Sequence, residues 1–311
     1  MRIMITGGAG FVGSHLTNRL AAAGHEVLVY DNLSTGRPGP SCTVGDLLDA
    51  PALNAAMFGF RPDAVVHLAA VHFIPDCERE PSRTLRINVE GTQNVLAAAA
   101  NCETKPNFVF ASTAAVYDTS DRYHHEEDNP APSEIYGITK LFGEQLVKAS
   151  GLRYSIARLF NVYGPGETNP HLITVLCEQL REGADQIQLG TTSTYRSYVY
   201  VTDVAEALAR MALSPVPARI CNVPGPGEWT AADIIDSLTR LTGRDIRVTV
   251  DPARVRASDR PHLRGDLTAA NRLLGWQPAV SLDEGLARLL AVEPVNSPHE
   301  VLHATAAMAA S

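Results

Sequence analysis

Tyr136 and Lys140 stand four residues apart in a segment of helical periodicity, which puts a phenol and an ammonium on one helix face. A tyrosine hydroxyl ordinarily titrates near ~10. A neighbouring cation, joined by the positive ring of an oxidised nicotinamide, favours the phenolate and brings the group toward working pH. Such a pair can take the proton of an alcohol while a hydride leaves its carbon. The spacing alone is also common on helices for packing and solubility, so its weight depends on what accompanies it.

What accompanies it is a dinucleotide signature. Thr6-Gly7-Gly8-Ala9-Gly10-Phe11-Val12-Gly13 follows an apolar strand pattern and opens a helical one. Glycines in such a turn let the backbone approach a pyrophosphate seated at the helix N-terminus. The spacing is G-x-x-G-x-x-G. Asp31 ends the second strand pattern, 18 residues beyond Gly13. A carboxylate there can bind an adenosine ribose and repels a 2′-phosphate, so NAD is expected over NADP, with nearby Arg37 softening the preference. The competing reading of Asp31-Asn32 is a turn cap.

Short apolar runs at 2–6, 26–31, 41–45, 63–69, 107–112 and 153–160 alternate with helical segments at 11–23, 82–100 and 134–150. Buried strands alternating with amphipathic helices predict a doubly wound parallel sheet of the Rossmann type, covered on both faces. After Gly164-Pro165-Gly166 the pattern changes to helices near 171–182, 203–213, 230–242 and 281–291 with strands at 187–189, 219–223 and 246–250. The expected organisation is an NAD-binding domain over 1–165 and a smaller α/β substrate lobe over 166–294. Residues 198–225 are expected to return to the first domain, and 295–311 to form a tail.

Composition narrows the function classes. Of 311 residues, 45% are hydrophobic and the net charge is −8, which argues against a nucleic-acid partner. No apolar run reaches membrane-span length and no signal peptide is read, so a cytoplasmic protein is expected. Cys42, Cys77, Cys102, Cys177 and Cys221 are scattered and odd in number, which reads as reduced thiols. His124-His125-Glu126-Glu127-Asp128 lacks helical ligand spacing and is read as a solvated loop, so no metal site is expected.

With the glycine turn, Asp31, Thr113, Tyr136 and Lys140 in place, the chain resembles the extended short-chain dehydrogenase/reductases. Within them it is most similar to the NAD-dependent nucleotide-sugar epimerases. The resemblance spans roughly 1–290 in ordered blocks: Gly45-Asp46-Leu47, His67-Leu68-Ala69-Ala70, Asn88 to Thr92, Ser112 to Tyr117, Tyr136 to Lys140 and Arg158 to Gly164. It implies cofactor contacts at Gly7, Gly10, Phe11, Val12, Gly13, Asp31, Asn32, Asp46, Leu47, Leu68, Ala69, Ala70 and Asn88. It makes Thr113 the catalytic hydroxyl, Tyr136 the base and Lys140 the holder of the nicotinamide ribose. Asn161, Leu172, Arg196, Arg256 and Leu263 are implied at the substrate, the two arginines and Asn161 facing its diphosphate. Leu263 matches a position that gates bulky sugar substituents. A homodimer pairing segments 82–100 and 134–150 is implied as well.

Three departures bear on the chemistry. Ser197 stands after Arg196, where relatives have an acid that orders the arginine. His72 stands where some carry a lysine near the pyrophosphate. Ala114 and Ala115 replace the Asp-Glu pair with which dehydratases remove a proton and water. The expectation is therefore epimerisation at C4 of a nucleoside-diphosphate sugar through a transient 4-keto sugar. A dehydratase or net oxidoreductase of the same fold is the alternative, and a non-enzymatic NAD sensor a weaker one.

Overall fold

The computed structural model describes residues 1–190, 192–217, 219–251 and 261–291. Arg256 and the expected tail lie outside them. Strands β1 (Arg2–Thr6), β2 (Glu26–Asp31), β3 (Cys42–Val44), β4 (Ala64–His67), β5 (Asn107–Thr113) and β6 (Tyr154–Leu159) fall where the apolar runs placed them. They form one parallel sheet, and the later β11 (Arg219–Val223) completes it, in the order β11-β6-β5-β4-β1-β2-β3. Strand order reverses between β1 and β4, and the crevice at the carboxyl ends of such a pair is where open α/β sheets take ligands.

Period-2 alternation explains the two-sided burial. Ile3 and Ile5 pack with Leu16 and Leu20 of α1 (Phe11–Ala22) and with Val204 and Leu208 of α8 (Val201–Leu213). Met4, one residue out of phase, faces the opposite layer with Leu53, Val95, Phe108 and Val147. That layer holds α2 (Ala50–Phe60), α5 (Gly91–Asn101) and α6 (Ile135–Ala149).

A short helix, α3 (Ile74–Arg79), comes first, and the expected helix over 82–100 then forms as one run through α4 (Pro81–Leu85), a π-helical turn at Arg86–Glu90 and α5. Pro81 starts a new helix because it cannot donate a backbone bond within the preceding one. The π turn presents Asn88 to the loop after β4, where its amide accepts from the Val71 nitrogen at 2.8 Å and donates to the Val71 carbonyl at 2.8 Å. Helix α2 had no sequence assignment, although Asp49 caps it by accepting from the Ala52 nitrogen and Pro51 suits its first turn.

Strands β9 (Tyr195–Arg196) and β13 (His262–Leu263) pair with each other, and α10 (Thr268–Leu274) packs through Ala270 into the core that holds α1 and α8. The elements β7 (Asn161–Tyr163), α7 (Leu172–Arg181), β8 (Gln186–Leu189), β10 (Tyr198–Tyr200), α9 (Ala231–Thr242), β12 (Arg247–Val250) and α11 (Leu282–Ala291) surround a second core. Leu176, Ile187, Ile234, Leu238 and Leu286 are fully buried there. Helix α9 begins in a Thr230/Asp233 capping box and ends at left-handed Gly243, the start and stop devices of a well-defined helix.

Candidate active site

The glycine turn is shaped by close contact. Gly7 has φ +73°, and a Cβ there would stand 2.6 Å from the Ala69 nitrogen. A Cβ on Gly13 would run into the Gly7 carbonyl, whereas one on Gly10 would meet that oxygen at 3.3 Å. The turn thus has two intolerant positions and one that gives. Gly13→Ala should abolish or severely weaken dinucleotide binding, and Gly10→Ala should weaken it far less; isothermal titration with NAD checks both. Leu68 and Ala69 both donate to the Thr6 carbonyl, at 3.0 and 3.1 Å, which lays the 68–70 loop beside Gly7.

Asp31 is nine-tenths buried at the end of β2. Its Oδ2 accepts from the Ala9 nitrogen at 3.0 Å and its Oδ1 from the Leu33 nitrogen at 2.8 Å. The turn-cap reading therefore holds, and a ribose would share the same carboxylate through its remaining lone pairs. Asn32 donates to Asp46 Oδ2 at 3.3 Å, and the Leu47 carbonyl accepts from Asn94 at 2.9 Å. These contacts fasten three of the expected cofactor residues to one another and to α5. Phe11 and Val12 open α1. Asn88, expected at the cofactor, has its amide engaged with Val71 and with Thr139 Oγ1 at 3.1 Å, so it positions the loop against α6.

Thr113 ends β5, and its Oγ1 accepts from the Ala115 nitrogen at 3.1 Å. Gly137 lets α6 come this close, since a Cβ there would stand 2.5 Å from the Ala115 carbonyl. Tyr136 is half-buried in the first turn of α6. Burial pushes its hydroxyl up, and the Thr113 hydroxyl, opposing, favours the ionised form. The expectation that Lys140 lowers the phenol needs correction: among the chain's own groups, desolvation outweighs every favourable contact. Lys140 is 4% exposed, with Nζ 4.6 Å from the centroid of the Phe110 ring. Burial lowers its pKa to about 8 while Glu144, one helical turn on, favours the ammonium.

Glu144 belongs to a buried network that sequence reading missed. Its carboxylate accepts two bonds from Arg158, at 2.9 and 2.8 Å, and one from the Ser112 hydroxyl at 2.6 Å. Arg158 also donates to the Tyr117 hydroxyl at 2.9 Å, and that hydroxyl donates to Asn222 Oδ1 at 2.7 Å. The available signal was an arginine inside an otherwise buried strand run. The 124–128 segment is part of the same assembly rather than a solvated loop. His124 is 3% exposed and stacks on Tyr117 at 4.4 Å, and Glu126 accepts from the Asn222 nitrogen at 2.7 Å. His125 and Glu127 do face solvent.

His67, beside Leu68, is 1% exposed, with Nδ1 2.6 Å from Thr6 Oγ1 and Nε2 2.9 Å from Thr92 Oγ1. Burial, helped by Lys140, lowers its pKa to about 3. A folded-state pKa below the unfolded one means that the stabilisation is complete above ~6.5 and is lost as pH falls toward 3, at about 1.4 kcal/mol per unit. Urea unfolding between pH 7 and pH 4 should show this loss, and His67→Gln should flatten the slope.

Among the residues expected at the substrate, Arg196 lies opposite Leu263 because β9 pairs with β13. The Arg196 backbone exchanges hydrogen bonds with Trp229 at 3.0 and 2.9 Å. The strand is therefore ordered without the acid that relatives have, and the Ser197 hydroxyl instead accepts from the Gly225 nitrogen at 2.9 Å. Asn161 enters through β7, its nitrogen donating to the Ser197 carbonyl at 3.1 Å. Leu263 packs with Tyr117 and Phe160, and half-buried Leu172 opens α7. A surface hollow of about 760 Å³ between α9 and α11 is bordered by Trp229 but by none of the expected site residues among those described.

Comparison with known proteins gives this arrangement a lineage. The pattern described as "NAD dependent epimerase/dehydratase family" matches residues 3–226. A GDP-6-deoxy-D-mannose reductase of Pseudomonas aeruginosa is 30% identical, over 93% of this chain and 96% of that protein. The UDP-glucose 4-epimerase of Thermotoga maritima, solved with UDP-glucose, superposes with a TM-score of 0.87 at 29% identity, over 98% of this chain and all of that one. That of Thermus thermophilus, solved with NAD, gives 0.84 at 30% identity over 93% and 98%. The chain belongs to the NAD-dependent epimerase/dehydratase family.

Proposed function

We propose that the protein is an NAD-dependent nucleotide-sugar epimerase acting at C4. The observation that carries this reading is the placement of Thr113, Tyr136 and Lys140 around the end of β5 and the start of α6, beside Ala114 and Ala115, which are 2% and 8% exposed. Two buried alanines offer no second acid or base, so the segment is equipped for alcohol–ketone chemistry and not for elimination. The glycine turn fits a dinucleotide, because side chains at Gly7 and Gly13 would fill the space the backbone leaves. Gly7, Gly10, Gly13 and Asp31 would hold the pyrophosphate and ribose, and Lys140 the nicotinamide ribose. Bound NAD supplies a hydride acceptor that returns what it takes.

Tyr136, in the phenolate form that the positive ring of a bound oxidised nicotinamide would favour, removes the C4 hydroxyl proton, and Thr113 hydrogen-bonds the same oxygen as it becomes a carbonyl. The 4-keto sugar turns about its diphosphate linkage and is reduced on the opposite face, with Tyr136 returning the proton. Asn161 and Arg196 anchor the diphosphate while the sugar turns. Half-buried Leu263 leaves room for a larger substituent than a tyrosine would, which suits an N-acetylated sugar. Exposed Leu85 and Phe142, 42% and 56% accessible on α4 and α6, suit the pairing of these segments in a homodimer.

The test is incubation with NAD and a panel of UDP-, GDP-, dTDP- and CDP-hexoses, reading product configuration and nicotinamide absorbance together. An isomeric sugar without net NADH supports the proposal. The P. aeruginosa relative favours a second reading, net oxidoreduction, which stoichiometric cofactor turnover would establish; a keto-deoxy product would mean dehydration.

A further inference from the structure

We propose that His72, Glu167 and His171 form a site for a divalent transition-metal ion of the zinc class. One ligand atom from each lies within 4.8 Å of the other two. His72 is exposed on the loop after β4; Glu167 and exposed His171 lie on the segment leading into α7. Both strands of chain are anchored. Val71 is held on both backbone groups by Asn88, and His15 Nε2 bonds the Pro165 carbonyl at 2.9 Å. The three donors therefore meet between two segments that the rest of the fold fixes.

Two imidazoles and a carboxylate are a donor set for zinc and its neighbours, whereas calcium and magnesium prefer oxygen throughout. Ligand atoms around tetrahedral zinc stand roughly 3.3 Å apart, given bonds of about 2.0–2.2 Å. The cluster must contract by at most about 1.5 Å, which χ rotations of surface side chains can supply. Asn169 shows where the lone pairs already point. Its amide nitrogen lies 3.0 Å from His72 Nε2 and 3.3 Å from Glu167 Oε1, and its backbone nitrogen donates to the same carboxylate at 2.8 Å. The two N–H groups of this amide serve one acceptor each, and the backbone bond fixes Glu167 in orientation, as outer-shell bonds do for metal-bound carboxylates. A cation taking the place of that amide would fasten the loop after β4 to the start of α7. The His171 ring stands edge-on to Phe73 at 5.6 Å and 6.4 Å from the His72 ring, so packing already holds the two imidazoles near one another.

Zinc titrated calorimetrically into the full, NAD-loaded chain, with elemental analysis after dialysis, tests the site. One ion per chain is expected. His72→Ala, His171→Ala and Glu167→Gln should each weaken it by ~10-fold or more, and His125→Ala, an exposed histidine elsewhere, should bind as the wild type does. Unchanged melting curves would separate loss of a ligand from loss of fold. Absence of zinc from the wild type, undiminished uptake by both cluster-histidine variants, or loss on His125→Ala overturns the proposal.

Discussion

Tyr136→Phe should lower turnover by roughly 10²–10⁴, the range for losing a positioned acid/base, with the fold and cofactor binding retained. The phenol meets the Thr113 hydroxyl on one side and otherwise sits among groups that raise its pKa, burial first and then Cys77 and Glu134. Removing one oxygen leaves the ring's packing intact while deleting the proposed acid/base. Turnover of the variant within a few-fold of wild type would remove Tyr136 from the mechanism. The pH profile gives a second reading: Lys140, lowered to about 8, loses its charge as pH rises past that value, so kcat/KM should fall on the alkaline side.

Glu144→Ala should cost about 3–5 kcal/mol of stability, the penalty for removing one partner of a buried ion pair. Glu144 is 0% and Arg158 1% exposed, so the remaining guanidinium cannot turn to water. Arg158 would keep the Tyr117 hydroxyl and the Glu126 carbonyl but no counter-charge. Replacing both residues with apolar ones of similar volume should cost less than the single change, because no charge is then stranded. Denaturant unfolding of the three proteins checks the order. The single variant should also bind cofactor poorly at neutral pH, since Glu144 is what favours the Lys140 ammonium. A stability loss below 1 kcal/mol would mean that water reaches the pair.

The sheet was legible because its strands are buried on both faces and therefore read as unbroken apolar runs, from Ile3 to Ile5 and from Phe108 to Ala111. The glycine turn was legible because its signal is local. Residues 86–90 were not. Arg86-Ile87-Asn88-Val89-Glu90 continues a helical pattern, and only the pairing of Asn88 with the Val71 backbone reveals the π turn. His124 failed for the same reason. Its neighbours are polar, so composition pointed to solvent, while burial comes from a ring 4.4 Å away on Tyr117. Glu144 lay in plain view one turn after Lys140, but its partner Arg158 is on another element. Asp31 was read as a ribose ligand against a turn cap, and the structure shows the cap in place without taking all of the carboxylate's capacity.

The central claim is that a hydride leaves C4 of the sugar and returns to the same carbon. A nucleotide sugar carrying deuterium at C4, chosen from whichever substrate the panel identifies, tests this directly by mass spectrometry and NMR of the product. Epimerisation at C4 should give an inverted C4 that retains the deuterium, with no labelled reduced cofactor released. Loss of the label to water, or its accumulation in free NADD, would contradict it.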